Sequence, residues 1–325
     1  MLVFITRRLL QSVLVVFVMA VLVFLGVFVI GDPVMVLIDP SADQIEIARA
    51  TAALGLDKPM WEQFLIFLSN AMTGDLGRSF ATSEPALTMI LERAPATFEL
   101  AFTAMVIAIV LGLPLGMLAG LFPETAKAKA VMAGSICCFS LPSFWVGLML
   151  IMLFAVNLGW LPSNGRGETV EVLGVPVSFL TLDGLQHLAL PALNLALFKL
   201  ALIIRLTRAG TREVIHQDYI KFARAKGVST SRLVLVHVLK NILIPLVTVL
   251  GLELGSVIAL AVVTETIFSW PGMGKLIIDS IYSLDRPVIV AYLMVTVVIF
   301  IVINLIVDLL YTALDPRVKL AGLAR

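Results

Sequence analysis

The chain has 325 residues, of which 60% are hydrophobic and only 14% charged, with a formal net charge of +1. Soluble domains carry about a quarter charged residues and roughly half apolar ones, so a water-soluble globule is excluded. No basic surplus points to nucleic acid, and where the lysines and arginines fall is more informative than their sum.

The N-terminus places Arg7 and Arg8 before an apolar run from Leu9 to Ile30. That run is long enough to span a bilayer and no small-residue cleavage site follows, so it reads as a signal anchor. Five further runs approach the span length: Phe98 to Leu121, Val131 to Leu153, Leu188 to Leu206, Ile242 to Val263, and Val288 to Leu310. The predicted class is therefore an all-α integral membrane protein with six transmembrane helices. Basic residues sort the loops. Arg7 and Arg8, then Lys127 and Lys129, then Arg208, Arg212, Lys221, Arg224, Lys226, Arg232 and Lys240, and finally Arg317, Lys319 and Arg325 all fall on one side. The two short opposite loops hold only Arg166, and Lys275 with Arg286. Positively charged short loops stay inside, so both ends are expected in the cytoplasm.

This divides the chain into a first helix (1–30), an outer segment (31–97) and a core (98–325). In the outer segment, Asp43 to Leu56 and Trp61 to Met72 have amphipathic helical periodicity, separated by Gly55-Leu56-Asp57-Lys58-Pro59. A small helical periplasmic segment is expected. Trp61, Phe64, Phe67 and Leu68 fit two roles equally, packing on other outer loops or lying on the membrane surface.

Pro142 falls inside the third run and is expected to kink it. Cys137 and Cys138 are adjacent within that run and read as packing residues, since a disulfide there would be badly strained. His187, His216 and His237 show no local metal-ligand pattern. Gly272-Met273-Gly274-Lys275 resembles part of a phosphate loop, but Ser269 and Leu276 stand where Gly and Ser or Thr are required. No nucleotide site, catalytic constellation or metal site is predicted in this chain.

Ionisable residues inside apolar runs cost about 3 kcal/mol on insertion scales and usually face protein or water. Glu253 sits near the middle of the fifth run, and Lys199 lies in the fourth. One reading has Glu253 lining a solute pathway with Lys199 near it, accommodating a cationic amino terminus. The others are a structural ion pair or a glutamic acid kept neutral by desolvation.

The loop between the fourth and fifth runs, 207–241, contains Asp218-Tyr219-Ile220-Lys221-Phe222-Ala223-Arg224-Ala225-Lys226-Gly227. This is an alanine-rich helical run stopped by a glycine suited to a left-handed cap. With His237, Asn241 and Pro245 it resembles the coupling loop of the dipeptide and oligopeptide branch of bacterial ABC-importer permeases. Lys221 and Phe222 replace the first residues of the general permease signature. Further stretches resemble the same branch in order and spacing: Gly31-Asp32-Pro33, Leu54 to Pro59, Gly74-Asp75-Leu76-Gly77, Ser140 to Trp145, Leu158 to Pro162, Thr264 to Gly274, and Leu314-Asp315-Pro316-Arg317.

The resemblance implies a type I importer permease fold in the bacterial inner membrane. It implies a second homologous permease, two cytoplasmic ATPase subunits that bind Mg-ATP, and a periplasmic or lipid-anchored solute-binding protein. Asp218, Tyr219, Ala223, Arg224, Ala225, Lys226 and Gly227 would couple to the ATPase. Glu265, Phe268, Trp270, Pro271, Gly272 and Gly274 would belong to a re-entrant, scoop-like periplasmic element within 264–287. Members of the branch serve dipeptides, oligopeptides, glutathione, nickel chelates and some sugars, so the resemblance names no single solute. A different class, a proton-coupled secondary transporter with Glu253 and Lys199 as relay, is the alternative.

Overall fold

In lipid a backbone must satisfy its hydrogen bonds within the protein, and a chain this apolar does so with helices. The structure is a computed structural model that describes residues 2–29, 43–45, 51–52 and 57–314. The helices are α1 (Leu2–Val29), α2 (Met60–Thr73), α3 (Ala86–Leu121), α4 (Ala126–Ser140), α5 (Ser143–Leu150, continued by a π-helical stretch Ile151–Asn157), α6 (Leu182–Ile215), α7 (Asp218–Ala225), α8 (Leu239–Ile267), α9 (Met273–Tyr282) and α10 (Arg286–Leu314). Most of the expected helix over Asp43 to Leu56, the Gly31-Asp32-Pro33 stretch and the basic tail lie outside the described residues.

Among the described residues, four segments are each long and apolar enough to cross a membrane: Ala86–Leu121, Leu182–Ile215, Pro245–Ile267 and Arg286–Asp308. The apolar part of α1 is Leu10–Gly26. The third predicted run departs from expectation. It is two helices, α4 and α5, bent by 106° where the chain passes Ser140 and Pro142. Leu141 is extended (φ −86°, ψ 139°) and Pro142 becomes the N-cap of α5. The residue before a proline is pushed out of the α region, so the helix breaks where a kink was expected.

A second departure is a hairpin among the helices, β1 (Val170–Val172) paired antiparallel with β2 (Val175–Val177). Leu173 (φ 54°) and Gly174 (φ 78°) form its two-residue turn. Positive φ at both turn residues matches the twist of paired strands, and the valines supply β-branched partners.

The chain packs as two compact units. One comprises Met1–Ala94 and Lys275–Val302. Ala20 and Val23 of α1 and Met294 of α10 form its buried cluster. Phe64 of α2 inserts between Phe17 and Phe24 of α1, with ring centroids 6.2 and 5.2 Å away. Asp285 accepts from Ser79 Oγ (2.5 Å) and from the Phe80 amide (3.0 Å), fixing the turn before α3.

The other unit comprises Pro95–Gly274 and Ile303–Arg325. Gly112, Gly116 and Gly120 line one edge of α3 against Ile203, Thr207 and Thr211 of α6. A Cβ at Gly116 would lie 2.6 Å from Thr207 Cβ and 2.8 Å from the Ile204 carbonyl, so only glycine allows this crossing. Small residues at four-residue spacing let membrane helices approach closely where the hydrophobic effect offers no drive.

Candidate functional site

The loop after α6 is built around one buried side chain. Ile220 of α7, 1% exposed, packs with Leu233, Val238 and Ile242, and with the partly buried Val214, Ala223 and Val228. That anchor turns the rest of α7 outward: Tyr219 and Phe222 are 44% and 62% exposed, and Lys221, Arg224, Ala225 and Lys226 are exposed with them. Asp218 opens the helix, where a carboxylate suits the positive end of the helix dipole. Its Oδ1 accepts from Lys221 Nζ at 2.8 Å, and this bond, then the lysine charge, hold the carboxyl below the usual carboxylate range. Lys226 Nζ lies 4.6 Å from the Phe222 ring centre.

Gly227 ends the helix at φ 76°. The Gly227 amide donates to the Arg224 carbonyl (3.0 Å) and the Val228 amide to the Ala223 carbonyl (3.2 Å), the paired bonds of a Schellman stop with Val228 resting in the buried cluster. Among the described residues, nothing lies within 4 Å of where a Gly227 Cβ would project. The sequence-predicted coupling residues therefore sit on one short helix and its C-terminal stop, with Ala223 alone among them facing inward. Ile220, absent from that set, is what holds the helix in place.

At the far end of α8 the predicted scoop residues converge on a buried carboxylate. Glu265 is 0% exposed and its Oε1 accepts from Thr97 Oγ1 at 2.6 Å. Thr97 Oγ1 in turn accepts from the Met273 amide (2.8 Å), the first residue of α9. The Trp270 amide donates to the Glu265 carbonyl (2.8 Å) and Trp270 Nε1 to the Ala96 carbonyl (2.9 Å). The Gly272 amide donates to the Trp270 carbonyl (2.8 Å), closing a tight turn around the half-buried Pro271. A Cβ on Gly272 would collide with the Glu265 carboxylate, and one on Gly274 with Val262 and the same carboxylate. Phe268, 1% exposed, accepts through its carbonyl from the Gly165 amide at 2.9 Å.

A neighbouring ion pair was not foreseen. Arg166 donates Nε and Nη2 to Glu99 Oε2 at 3.0 and 2.6 Å, and Nη2 to the Pro176 carbonyl at 2.7 Å. Glu99 Oε1 accepts from the Ser178 amide and hydroxyl (2.6 and 2.8 Å) and the Phe179 amide (2.9 Å). The guanidinium also lies 5.8 Å from the Trp270 ring centre. A carboxylate this saturated fixes the hairpin against α3 and beside the Trp270 turn. The signal for it was a glutamate at the start of an apolar run, opposite a loop with one arginine.

Within the spans, Lys199 of α6 and Glu253 of α8 do meet. Lys199 is 8% exposed, and its Nζ lies 2.5 Å from Glu253 Oε2 and 2.7 Å from Ser256 Oγ. Ser256 Oγ is itself 2.7 Å from Oε2. The bonds from Lys199 and Ser256 to the carboxylate gather on Oε2, and the Glu253 side chain keeps 28% exposure. The pairing turns two isolated charges into one neutral, hydrogen-bonded unit with an accessible edge.

Residues 112–320 match the model of the family described as binding-protein-dependent transport system inner membrane component, and residues 1–101 match its N-terminal companion. The chain belongs to this family. It is 41% identical to the di/tripeptide transport system permease protein DppB of Pseudomonas aeruginosa, over 98% of this chain and 99% of that one. It is 38% identical to the glutathione transport system permease protein GsiC of Escherichia coli O6:H1, with the same coverage, and 38% identical to the dipeptide transport system permease protein DppB of Escherichia coli K12, over 89% of this chain and 90% of that one. The fold resembles an inward-facing structure of the MetNI methionine ABC transporter, with a TM-score of 0.58 at 19% identity, covering 72% of this chain and all of the other. As a family member the chain is an inner-membrane permease component of a binding-protein-dependent ABC importer, a transport subunit. That membership sets aside the proton-coupled alternative.

Proposed function

We propose that this permease moves di- and oligopeptides or closely related solutes inward by alternating access. Full-length similarity to permeases named for di/tripeptides, dipeptides and glutathione carries the substrate class. All three solute types bear a free ammonium and carboxylates. In this reading the chain has six spans, with α1 as the first and the bent α4 and α5 pair as the third, and both termini are cytoplasmic. It pairs with a second homologous permease. Two cytoplasmic ATPase subunits bind Mg-ATP, and a periplasmic or lipid-anchored binding protein delivers the solute.

The outward face of α7, from Asp218 to Lys226, docks into the ATPase, and Gly227 lets the chain leave that contact sharply. ATP binding favours one arrangement of the ATPase pair, and α7 transmits that preference to the spans. The element from Glu265 to Gly274 shapes the outer gate. Because its polar groups are satisfied internally, it acts as a rigid piece and not as a loose loop. Glu253 and Lys199 line the pathway, where Glu253 Oε1 is available to a solute ammonium while Oε2 stays with Lys199 and Ser256.

The test is uptake into proteoliposomes holding both permeases, the ATPases and the binding protein. Peptide accumulation should continue when the proton gradient is collapsed and stop when ATP is withdrawn. Accumulation that follows the proton gradient would sink the coupling scheme.

A further inference from the structure

Helix α2 has three faces, and only two have an evident environment. At about 100° per residue, Phe64, Phe67 and Ala71 share one face. Phe64 and Phe67 there pack on Phe24 of α1, at 5.2 and 5.9 Å between centroids. Glu62, Ser69 and Thr73 share a second, polar face on the far side. Between these, Trp61, Leu65 and Met72 form an apolar stripe that nothing in the described chain covers, 66%, 54% and 77% exposed.

We propose that this stripe is immersed in the outer leaflet, so that α2 is an interfacial membrane helix and its partner is lipid acyl chain. Two features of the packing carry this. The first is depth. Phe67 and Leu68 pack on Ala20 and Val23 of α1 and near Met294 of α10. At about 1.5 Å per residue, Ala20 lies about 18 Å along α1 from the basic end at Arg8, within a hydrocarbon core of about 30 Å. Met294 lies about 12 Å along α10 from Arg286, the opposite end of its span. Both helices thus place the contact in the outer half of the bilayer.

The second is continuity. α1 presents Leu14, Val18 and Leu25 to the outside, 62%, 47% and 47% exposed, so the helix on which α2 rests faces lipid itself. With α1 on one side and the polar arc turned to water, the stripe faces the acyl chains, and Trp61 has the amphipathic ring that settles at a membrane interface. Lys58 and Glu62, paired at 2.9 Å and both exposed, are neutralised at the helix start, and the long lysine stem can carry its ammonium to the headgroups. The side chains meeting lipid are Trp61, Leu65 and Met72, while Phe64 and Phe67 belong to the protein.

The experiment attaches spin labels to the full chain in its assembled transporter in nanodiscs, with Cys137 and Cys138 replaced by alanine. Labels go on Leu65→Cys, Met72→Cys and Ser69→Cys, all exposed positions where substitution opens no cavity. Labels at 65 and 72 should relax several-fold more with oxygen, which concentrates in lipid, than with a water-soluble nickel chelate. The label at 69 should show the reverse. Nickel access at 65 and 72 equal to that at 69 would mean an aqueous helix. Resistance to both reagents at 65 and 72 would mean a protein cover. Either result overturns the proposal.

Discussion

The carboxylate of Glu265 occupies the space into which a side chain on Gly272 would grow. The two residues are joined by a turn in which Trp270 bonds back to the Glu265 carbonyl, and Thr97 bridges the carboxylate to the start of α9. The turn therefore has one way to close.

Gly272→Ala should destabilise the chain by about 1 to 3 kcal/mol, the cost of forcing an extra carbon into a packed site. Thermal stability of the purified transporter should fall accordingly. Truncating Glu265 in the same chain should recover part of the loss by removing the collision, even though Thr97 then lacks an acceptor. A double variant no better than the sum of the singles would refute this account.

Arg166→Ala leaves Glu99 buried with its amide and hydroxyl donors but without its counter-charge. Breaking a buried pair by removing one partner costs about 3 to 5 kcal/mol. Arg166→Lys should restore stability only in part, because one ammonium supplies the counter-charge but cannot reproduce the bonds that Nε and Nη2 make to Glu99 and Pro176. Melting curves of the three proteins check the order wild type, then lysine, then alanine.

The short helix α7 was legible in sequence because its determinants are local: an acidic first residue, alanines, and Gly227 five positions after Phe222. The hydrophobic runs likewise announced the long helices. What escaped was whatever depends on distant partners. Glu99 and Arg166 are 67 residues apart, and nothing in either neighbourhood reveals the other. Lys199 and Glu253 could be suspected of meeting, because both are costly alone in hydrocarbon. The break at Pro142 was underestimated because a proline's own effect is a kink. The additional step is the extended Leu141 before it, which separates α4 from α5.

Acidification should loosen the first turn of α7. The Asp218 carboxyl is held below its ordinary range by the bond from Lys221. A depressed folded value means the contribution is fully present above the unfolded carboxylate value of about 3.9 and is lost as pH falls through the folded one. Both side chains are exposed, so the effect is local and small. Amide exchange in α7 should be faster in Asp218→Asn than in wild type near neutral pH, and the two should converge in acid. A constant difference at every pH would rule out this ion pair as the cause.

Gly227 separates backbone strain from contact. Its φ of 76° would cost an alanine about 1 kcal/mol or more, whereas no atom of the described residues would obstruct the new Cβ. Gly227→Ala should thus assemble and import at a modestly lower rate. Gly227→Trp should assemble too, but its side chain projects into the space assigned to the ATPase. ATP turnover should then continue while uptake per ATP falls several-fold. Equal uptake per ATP in the two variants would remove α7 from the docking role.

The pair Lys199 and Glu253 can be made to distinguish scaffold from solute contact. Glu253→Gln alone strands a buried ammonium, so a loss of protein there would say nothing about transport. Replacing both, as Lys199→Met with Glu253→Met, removes the charges together and keeps similar volume, an exchange that is often neutral or stabilising for a buried pair. If the pair only holds α6 to α8, this variant should assemble and import at the wild-type rate. If Glu253 Oε1 receives the solute ammonium, uptake of peptides with a free amino terminus should drop by about tenfold or more, the worth of one charge-assisted hydrogen bond of about 1.5 to 3 kcal/mol. Uptake of the same peptides acetylated at the amino terminus, if the binding protein delivers them, should change little. A uniform drop for both sets would point to an altered span and not to a lost contact.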